Sequence, residues 1–326
     1  MSEGLARVRL PPSSEPRAIG HASASVTSRE RQRGIAMGIA TYASWGIMPL
    51  FWRLVRSATA TEILAHRVTW SLLFVGALLP RAGGLRSLRR LDRRRLALLA
   101  LASVLIGFNW GVYVWAVNSG HVVETALGYF INPPITVLLG VVVLRESLRR
   151  VQWIAVAIVL VAVVVLAYDY GRPPWIALML AGSFATYGLV KKRVGVSAIE
   201  GLFVESAFLF VPAVAYLVFV EAQGTATFGH VSPWTSALLL STGVVTAVPL
   251  LGFAGAANRI PLSMIGPLQY ISPSLQFLCG VLVFHEAMPA SRWVGFGLVW
   301  AALLVFLVEG VLAARSQAAA LEARTK

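Results

Sequence analysis

The sequence predicts an all-α integral membrane protein whose ten transmembrane helices form two inverted five-helix repeats. The composition, the spacing of the apolar segments and an internal repeat lead to this prediction. Of the 326 residues, 57% are hydrophobic and 13% are charged, and the mean hydropathy is +0.74. Because a soluble domain needs a polar shell, this composition indicates that lipid is the main solvent.

Apolar segments of about 20 residues, the length of helix that crosses a bilayer core, give the predicted helix count. Ten of them lie near 34–52, 62–80, 96–117, 124–144, 151–169, 175–190, 199–220, 234–256, 262–284 and 292–312. The polar ends, residues 1–32 and 313–326, are predicted to be disordered cytoplasmic tails. The first end has no apolar core, so it is not expected to be a cleaved secretory signal.

The loop charges orient these segments in the membrane. Twenty Lys and Arg flank one set of alternating segment ends, whereas only four flank the other set, namely Arg53, Arg56, Arg172 and Arg292. By the positive-inside rule the first set is cytoplasmic, and both termini are cytoplasmic with it. This distribution explains the net charge of +14 through the lipid bilayer, and nucleic acid is not predicted as a partner.

A repeat becomes visible when the sequence is shifted by 140 residues, because the middle then aligns with the end without a gap. The shift aligns Phe130-Ile131-Asn132-Pro133 with Tyr270-Ile271-Ser272-Pro273, Glu146 with Glu286, and Trp153 with Trp293. Each half, 33–170 and 171–312, then holds five segments. An odd number makes the second half enter the membrane from the opposite side, an architecture typical of secondary transporters with a site between the halves.

Two proline-containing segments are the first candidates for that site. Pro133 leaves the carbonyl of Tyr129 without its helical partner, and Pro273 does the same to the carbonyl of Gln269. In lipid such carbonyls need protein or water as partners, so both stretches are expected to face a cavity and to break their helices. Asn132 and Tyr270 belong to the same stretches. The alternative is a kinked packing helix that contacts no ligand.

Glu62, His66 and Arg67 form a second candidate at the start of the second segment. Glu62 and His66 are four residues apart and therefore share a helix face. Charge at this depth is unfavourable unless it is paired or hydrated, so the cluster is expected to point inward. Because His66 titrates near neutral pH, proton coupling is one hypothesis, and a structural pair near the external surface is the other.

Aromatic and polar side chains inside other segments complete the predicted pathway, since they suit flat, partly apolar ligands. They are Tyr42, Trp45, Asn109, Trp110, Tyr113, Tyr187 and Thr246. The single cysteine, Cys279, cannot form an internal disulfide, and neither a metal nor another cofactor is predicted. The sequence has no Walker A or hydrolase signature, so an ATP-driven step and an enzyme are not predicted.

Several motifs add a family resemblance over about residues 33–310. They are Trp45-Gly46, Glu62-Ile63-Leu64 with His66-Arg67, Asn109-Trp110, Leu127-Gly128-Tyr129-Phe130-Ile131-Asn132-Pro133 and Gln269-Tyr270-Ile271. These motifs resemble the RarD group, the chloramphenicol-sensitivity permease branch of the EamA-type proteins in the drug/metabolite transporter superfamily. The resemblance implies a bacterial inner-membrane permease with two EamA-type halves that carries metabolites or drugs by alternating access.

The sequence therefore predicts a secondary transporter of a small-molecule substrate, as a monomer or a homodimer. The first segment lacks the membrane-embedded Glu that small multidrug members of the superfamily use, so cation/proton antiport by that route is not expected. The alternative is a non-transporting membrane protein, such as a lipid-handling enzyme, a scaffold or a receptor. A lateral lipid groove that holds the polar residues would favour this alternative over a cavity between the halves.

Overall fold

The computed structural model describes residues 28–80, 88, 91–145 and 149–325, and the regular elements in these ranges are helical. The α-helices are α1 Ser28–Gly46, α2 Met48–Leu54, α3 Ala60–Leu78, α4 Arg93–Asn118, α5 Val122–Leu144, α6 Arg150–Tyr170, α7 Trp175–Val194, α8 Ala198–Ala222, α9 Pro233–Ala257, α10 Leu262–Leu268, α11 Ile271–Leu278 and α12 Ala290–Thr325. A short π-helix, Cys279–Val283, continues α11. The predicted all-α class is confirmed for these residues.

Six helices are long and apolar enough to cross a membrane, in the part of the chain that the structure describes. They are α4, α5, α6, α8, α9 and α12, and the bent pair α1–α2, with a 40° angle, makes a seventh candidate. The other three predicted segments coincide with α3, α7 and the α10–α11 run. These are more polar or shorter, because α3 carries Glu62, His66 and Arg67 and the α10–α11 run is interrupted.

Several helices begin at a side-chain cap directly before an apolar segment. A hydroxyl or carboxylate oxygen accepts the backbone N–H three residues further on, which satisfies one free amide of the first turn. The caps are Thr59 for α3, Asp92 for α4, Ser197 for α8 and Ser232 for α9. These caps fix the residue at which each helix enters the bundle.

Large apolar side chains cover the outer surface of the bundle. Val142, Val164 and Val211 are each about 70% exposed, while Glu62, Asn109 and similar polar side chains are buried. Contiguous apolar surface of this kind is rare on soluble monomers. The distribution of polarity therefore matches a protein surrounded by lipid.

The helices pack in a small number of close pairs. The pairs α6–α12, α5–α7, α3–α8, α3–α9, α4–α7, α4–α8, α1–α9, α1–α11 and α5–α11 form the bundle. Glycines allow some of these approaches. A Cβ on Gly243 of α9 would overlap the carbonyl carbon of Trp70 on α3, and a Cβ on Gly46 would lie 2.6 Å from the Cβ of Leu275.

The two proline stretches behave differently, which corrects one prediction. The tenth and eleventh helices are separated at Gln269–Tyr270, so the predicted break after Gln269 is present. Pro273 lies in the first turn of α11, where its missing N–H has no helical acceptor to lose. In contrast, α5 continues through Pro133 and Pro134 without interruption, so the prediction of a broken fourth segment is wrong.

Two residues with left-handed backbone conformation each lie where a helix ends and a loop begins. Arg145 has a φ of 56° and His285 a φ of 55°, and among the described residues they are the non-glycine positions with positive φ. They are 140 residues apart, the same shift that aligns the two halves of the sequence. Left-handed backbone is unfavourable for side chains with a Cβ, so its recurrence at this spacing reflects a shared local fold.

The chain ends differ from the predicted tails. The first helix begins at Ser28 and the last continues to Thr325, so the segment predicted as a disordered tail after residue 312 is helical. The rest of the N-terminal tail, residues 1–27, lies outside the described residues, as do Arg81, Arg86, Arg89, Arg90 and Glu146.

The substitution Gly243→Ala is expected to lower the free energy of unfolding by about 1–3 kcal/mol, because the new methyl group would force α9 away from the α3 backbone. Thermal unfolding of the purified protein in detergent measures the effect. Gly182→Ala on α7 is the matched control, since nothing lies within 4 Å of its added Cβ. Equal midpoints for both variants would contradict the close contact between α3 and α9.

Candidate functional site

Arg67 lies at the centre of a buried aromatic cluster. It is the eighth residue of α3, about 10 Å along the helix axis from the first residue. Its guanidinium carbon lies 3.8 Å from the centre of the Trp110 ring and 5.3 Å from that of Trp52. Its exposed fraction is 7%. Within the described residues, no carboxylate forms an ion pair with it.

Two tyrosines extend this cluster toward α4 and α5. The rings of Tyr113 and Tyr129 meet edge to face, with centres 5.7 Å apart. Both phenols lie near enough to Arg67 to interact with its charge. The hydroxyl of Tyr129 donates to Oδ1 of Asn109 at 3.4 Å. We call Trp52, Arg67, Asn109, Trp110, Tyr113 and Tyr129 the Arg67 cluster.

Asn109 connects the cluster to α7. Its Nδ2 donates to the carbonyl oxygen of Leu180 at 3.0 Å and to Oγ of Ser183 at 2.9 Å. The side chain is 1% exposed, so these bonds replace water entirely. In sequence, α4 belongs to the first repeat and α7 to the second. The Arg67 cluster therefore lies beside a contact between the two halves.

Three hydrogen-bond donors in the cluster have no acceptor among the residues that the structure describes. They are Nε of Arg67, Nε1 of Trp52 and the hydroxyl of Tyr113, and all three are buried. Buried polar atoms are nearly always hydrogen-bonded, so unpaired donors gathered in one place need an explanation. Sequence reasoning missed Trp52, because nothing in its local pattern shows that α2 packs against α4 and places its indole beside Arg67.

Glu62 and His66 make contacts that favour the structural hypothesis for Glu62. The Glu62 carboxylate accepts the amides of Thr227 and Phe228, at 2.7 and 3.3 Å, and so anchors the loop before α9. Nδ1 of His66 accepts the indole N–H of Trp70 at 3.1 Å, and its ring lies 4.9 Å from that of Phe228. Nε2 of His66 is buried without a partner.

Tyr187 lies beside a separate buried ion pair between α7 and α8. Nζ of Lys191 lies 2.7 Å from Oε1 of Glu205, and the Tyr187 hydroxyl donates to Oε2 at 3.2 Å. The side chains of Lys191 and Glu205 are 20% and 3% exposed. Lys191 and Glu205 are 14 residues apart on the consecutive helices α7 and α8, and the fold brings the two charges together.

The α1 candidates lie against α9 and α11. The rings of Tyr42 and Trp45 are 5.5 Å apart, and Phe253 of α9 packs beside both. The carbonyl of Trp45, at the bend between α1 and α2, accepts Nε2 of Gln276 at 3.3 Å. A carbonyl freed by the bend is thereby satisfied by a side chain of α11.

Among the residues that the structure describes, no side-chain hydrogen bond or ring contact joins the remaining candidate residues to the Arg67 cluster. Oδ1 of Asn132 and Oγ1 of Thr246 are buried without hydrogen-bond partners. Pro133 lies within α5 and Pro273 within the first turn of α11. Gln269 and Tyr270 occupy the break between α10 and α11.

Carboxylates also fasten the helix ends opposite the predicted cytoplasmic face. Glu286 accepts the amides of Val122 and Val123 at 2.5 and 2.9 Å, at the start of α5, as expected for a loop anchor. Burial raises the pKa of this carboxyl above its ordinary value, and the two amides partly offset the rise. Glu124 caps α7 through the amide of Ile176 and pairs with Arg172 at 2.8 Å.

Two described cavities lie away from the Arg67 cluster. A groove of about 660 Å³ runs between α6 and α12, and a crevice of about 510 Å³ opens between α3, α4 and α8. The crevice is lined mainly by apolar residues such as Leu64, Phe108 and Leu209. Neither cavity is lined by the polar residues of the cluster, so these lateral openings do not hold the candidate site.

Comparison with known proteins gives a consistent result. The EamA-like transporter family matches residues 32–168. Protein RarD of Streptomyces exfoliatus is 52% identical over 90% of this chain and 94% of its own length. Protein RarD of Escherichia coli strain K12 is 39% identical over 88% and 98%. A solved crystal structure covers 85% of this chain and 98% of its own, with a TM-score of 0.56 and 17% identity, which supports the fold.

An apolar outer surface, several membrane-crossing helices and relatives of this kind define a multi-pass membrane transporter. The chain belongs to the EamA-like transporter family, as a RarD-type member of the drug/metabolite transporter superfamily. The predicted family is therefore confirmed.

Glu62→Ala is expected to lower the free energy of unfolding by about 1–3 kcal/mol, because two loop amides would lose their buried acceptor. Thermal unfolding in detergent measures the loss. Glu221→Ala is the matched control, because its ion pair with His230 is exposed to solvent. A Glu62 variant as stable as the control would show that the loop does not depend on this carboxylate.

Proposed function

We propose that this protein is a secondary transporter that carries a small organic molecule across the bacterial inner membrane by alternating access. The Arg67 cluster is the observation that supports this function, because it places unpaired polar atoms inside an apolar bundle. Polar and charged groups in such positions typically mark a substrate path. The cluster also adjoins the contact between the two halves that Asn109 and Ser183 make.

Long-range ion pairs support a topology of ten crossings with both termini cytoplasmic. Each pair joins helix ends that this topology places on one side, with an even number of crossings between the partners. The pairs are Glu124–Arg172 and Asp169–Arg292 outside, and Arg149–Glu309 and Arg259–Glu30 inside. If a single segment did not cross, some partners would lie on opposite faces.

The helix packing supports two inverted halves. In the predicted repeat, the helices α1, α3, α4, α5 and α6 correspond to α7, α8, α9, α11 and α12. Exchanging each helix for its counterpart converts the contact α3–α9 into α8–α4, α1–α9 into α7–α4, and α5–α7 into α11–α1. The pairs α6–α12, α3–α8 and α5–α11 map onto themselves. The left-handed residues Arg145 and His285 follow the same exchange. A pseudo-two-fold relation of this kind allows two states of opposite asymmetry, which alternating access requires.

The breaks in the helices supply positions at which such a change can occur. The bend between α1 and α2 and the break at Gln269–Tyr270 each leave the backbone without continuous helical bonding. Hinges are typically a few residues at such element ends. We infer that rearrangement there opens the buried Arg67 cluster to one side of the membrane at a time.

In proteoliposomes, the purified protein is expected to show saturable counterflow of its cargo, which an unbiased metabolite comparison of overexpressing and deletion cells would identify. Asn132→Ala and Gln269→Ala are expected to reduce this flux about 10-fold, because each removes a polar group from a proposed path. Gln223→Ala, in an exposed loop, is the matched control. Flux that rises linearly with concentration would contradict a carrier, and unchanged flux in both variants would remove these residues from the path.

Membrane-impermeant thiol labelling of intact cells tests the ten-crossing topology. In a Cys279→Ala background, cysteines at Arg56 and Gln223 are expected to react from outside, whereas a cysteine at Lys192 is expected to react only after permeabilisation. All three native side chains are exposed loop or helix-end positions. External labelling of the Lys192 position in sealed cells would contradict the inverted arrangement.

A further inference from the structure

We propose that the Arg67 cluster is a binding site for the carboxylate group of a small organic monoanion with a flat apolar body. This inference rests on the proposed function and adds the chemical class of the transported molecule. It follows from the hydrogen-bonding, charge and shape of the residues around Arg67.

The unpaired atoms of the cluster are complementary to an acceptor. Nε–H of Arg67 and Nε1–H of Trp52 can only donate, and the Tyr113 hydroxyl can donate as well. A carboxylate accepts hydrogen bonds through two oxygens and donates none. One bound carboxylate would therefore satisfy donors that the described residues leave unpaired. A primary amide offers one acceptor oxygen beside its own N–H donors, and an ammonium group offers none, so both are less complementary to these donors.

The charge of the cluster also requires a negative partner. The buried carboxylates among the described residues are already engaged, because Glu62 accepts two loop amides, Glu205 pairs with Lys191 and Glu124 pairs with Arg172. Arg67 is left with only the faces of two indole rings. A buried charge without a counterion is strongly unfavourable, so binding of an anion would neutralise it. A single guanidinium matches a monoanion.

The side chains around Arg67 determine which kind of ligand body fits beside the bound carboxylate. Trp52, Trp110, Tyr113 and Tyr129 present large aromatic surfaces around the guanidinium. Such surfaces stack against flat apolar groups. Trp52 and Tyr113 also pack in the same apolar cluster as Cys279 of the π-helix, which belongs to the second repeat. A ligand here would touch both halves and would stabilise a state in which they are closed around it.

Ligand-dependent thermal unfolding of the full-length protein in detergent tests the site. The single cysteine, Cys279, is buried, so a fluorogenic thiol reagent reports its exposure on unfolding. Phenylacetate and 4-phenylbutyrate are expected to raise the midpoint by about 2 °C or more at saturation. Phenylacetamide and phenethylamine, which keep the body and change the head group, are expected to produce no shift. Phenylphosphonate, compared with phenylacetate at an alkaline pH at which the phosphonate is a dianion, is expected to bind more weakly.

Substitutions in the Arg67 cluster test whether a shift of the unfolding midpoint arises from binding there. Arg67→Gln is expected to weaken phenylacetate binding at least about 10-fold, and Arg67→Lys to restore part of it, since the charge remains without the planar fork. Trp52→Phe keeps an aromatic ring and removes the indole N–H donor, so a smaller loss of phenylacetate affinity is expected. Arg56→Gln, an exposed arginine nearby in sequence, is the matched control and is expected to bind as the native protein does.

The outcomes separate the carboxylate site from transport itself. Equal shifts with phenylacetate and phenylacetamide, no shift with either carboxylate, or full binding by Arg67→Gln would overturn the site. Counterflow of the identified cargo that survives Arg67→Gln would also overturn it, while the transport function would stand. Arg67-dependent binding of carboxylates without saturable flux of any solute would support the site and remove the transport function.

Discussion

The Arg67 guanidinium lies buried between the faces of two indole rings, and no carboxylate among the described residues forms an ion pair with it. Transfer of an isolated ion out of water is unfavourable by several kcal/mol even after relaxation. The cation–π contacts to Trp52 and Trp110 each offset about 0.5–2 kcal/mol of this unfavourable transfer free energy. Aromatic packing therefore tolerates the charge without neutralising it. The α2–α3 turn and α4 must hold these rings in place for the folded state to persist.

The two predicted halves align in sequence but differ in charge. The offset of 138 residues that aligns Glu62 with Glu200 also aligns Arg67 with Glu205. Both charged side chains lie eight positions into their helices, which begin at opposite faces of the proposed topology. Glu205 has a permanent partner in Lys191, whereas Arg67 has none among the described residues. The predicted repeat thus aligns two buried charges of opposite sign, and the proposed ligand would pair with the one that has no counterion among these residues.

Local patterns in the sequence predicted the helices and the family, since apolar length, caps and loop charges are local properties. They predicted individual contacts less well. Glu62 accepts the amide of Thr227, 165 residues away, and Trp52 approaches Arg67 through the packing of α2 against α4. The uninterrupted α5 could not be predicted either, because neighbouring helices decide whether a proline breaks a membrane helix. Asn109, Trp110, Tyr113 and Tyr129 were identified individually, and tertiary packing brings them together.

The hydrogen bond from Gln276 to the carbonyl of Trp45 has a mechanical consequence. It ties the bend of the first helix pair to α11, the segment that directly follows the Gln269–Tyr270 break. Gly46 lets the two backbones approach closely at the same point. The α1–α2 bend and the Gln269–Tyr270 break are thus connected through this contact. A movement of one segment is therefore transmitted to the other. A ligand that displaces one of these segments would therefore displace the other as well.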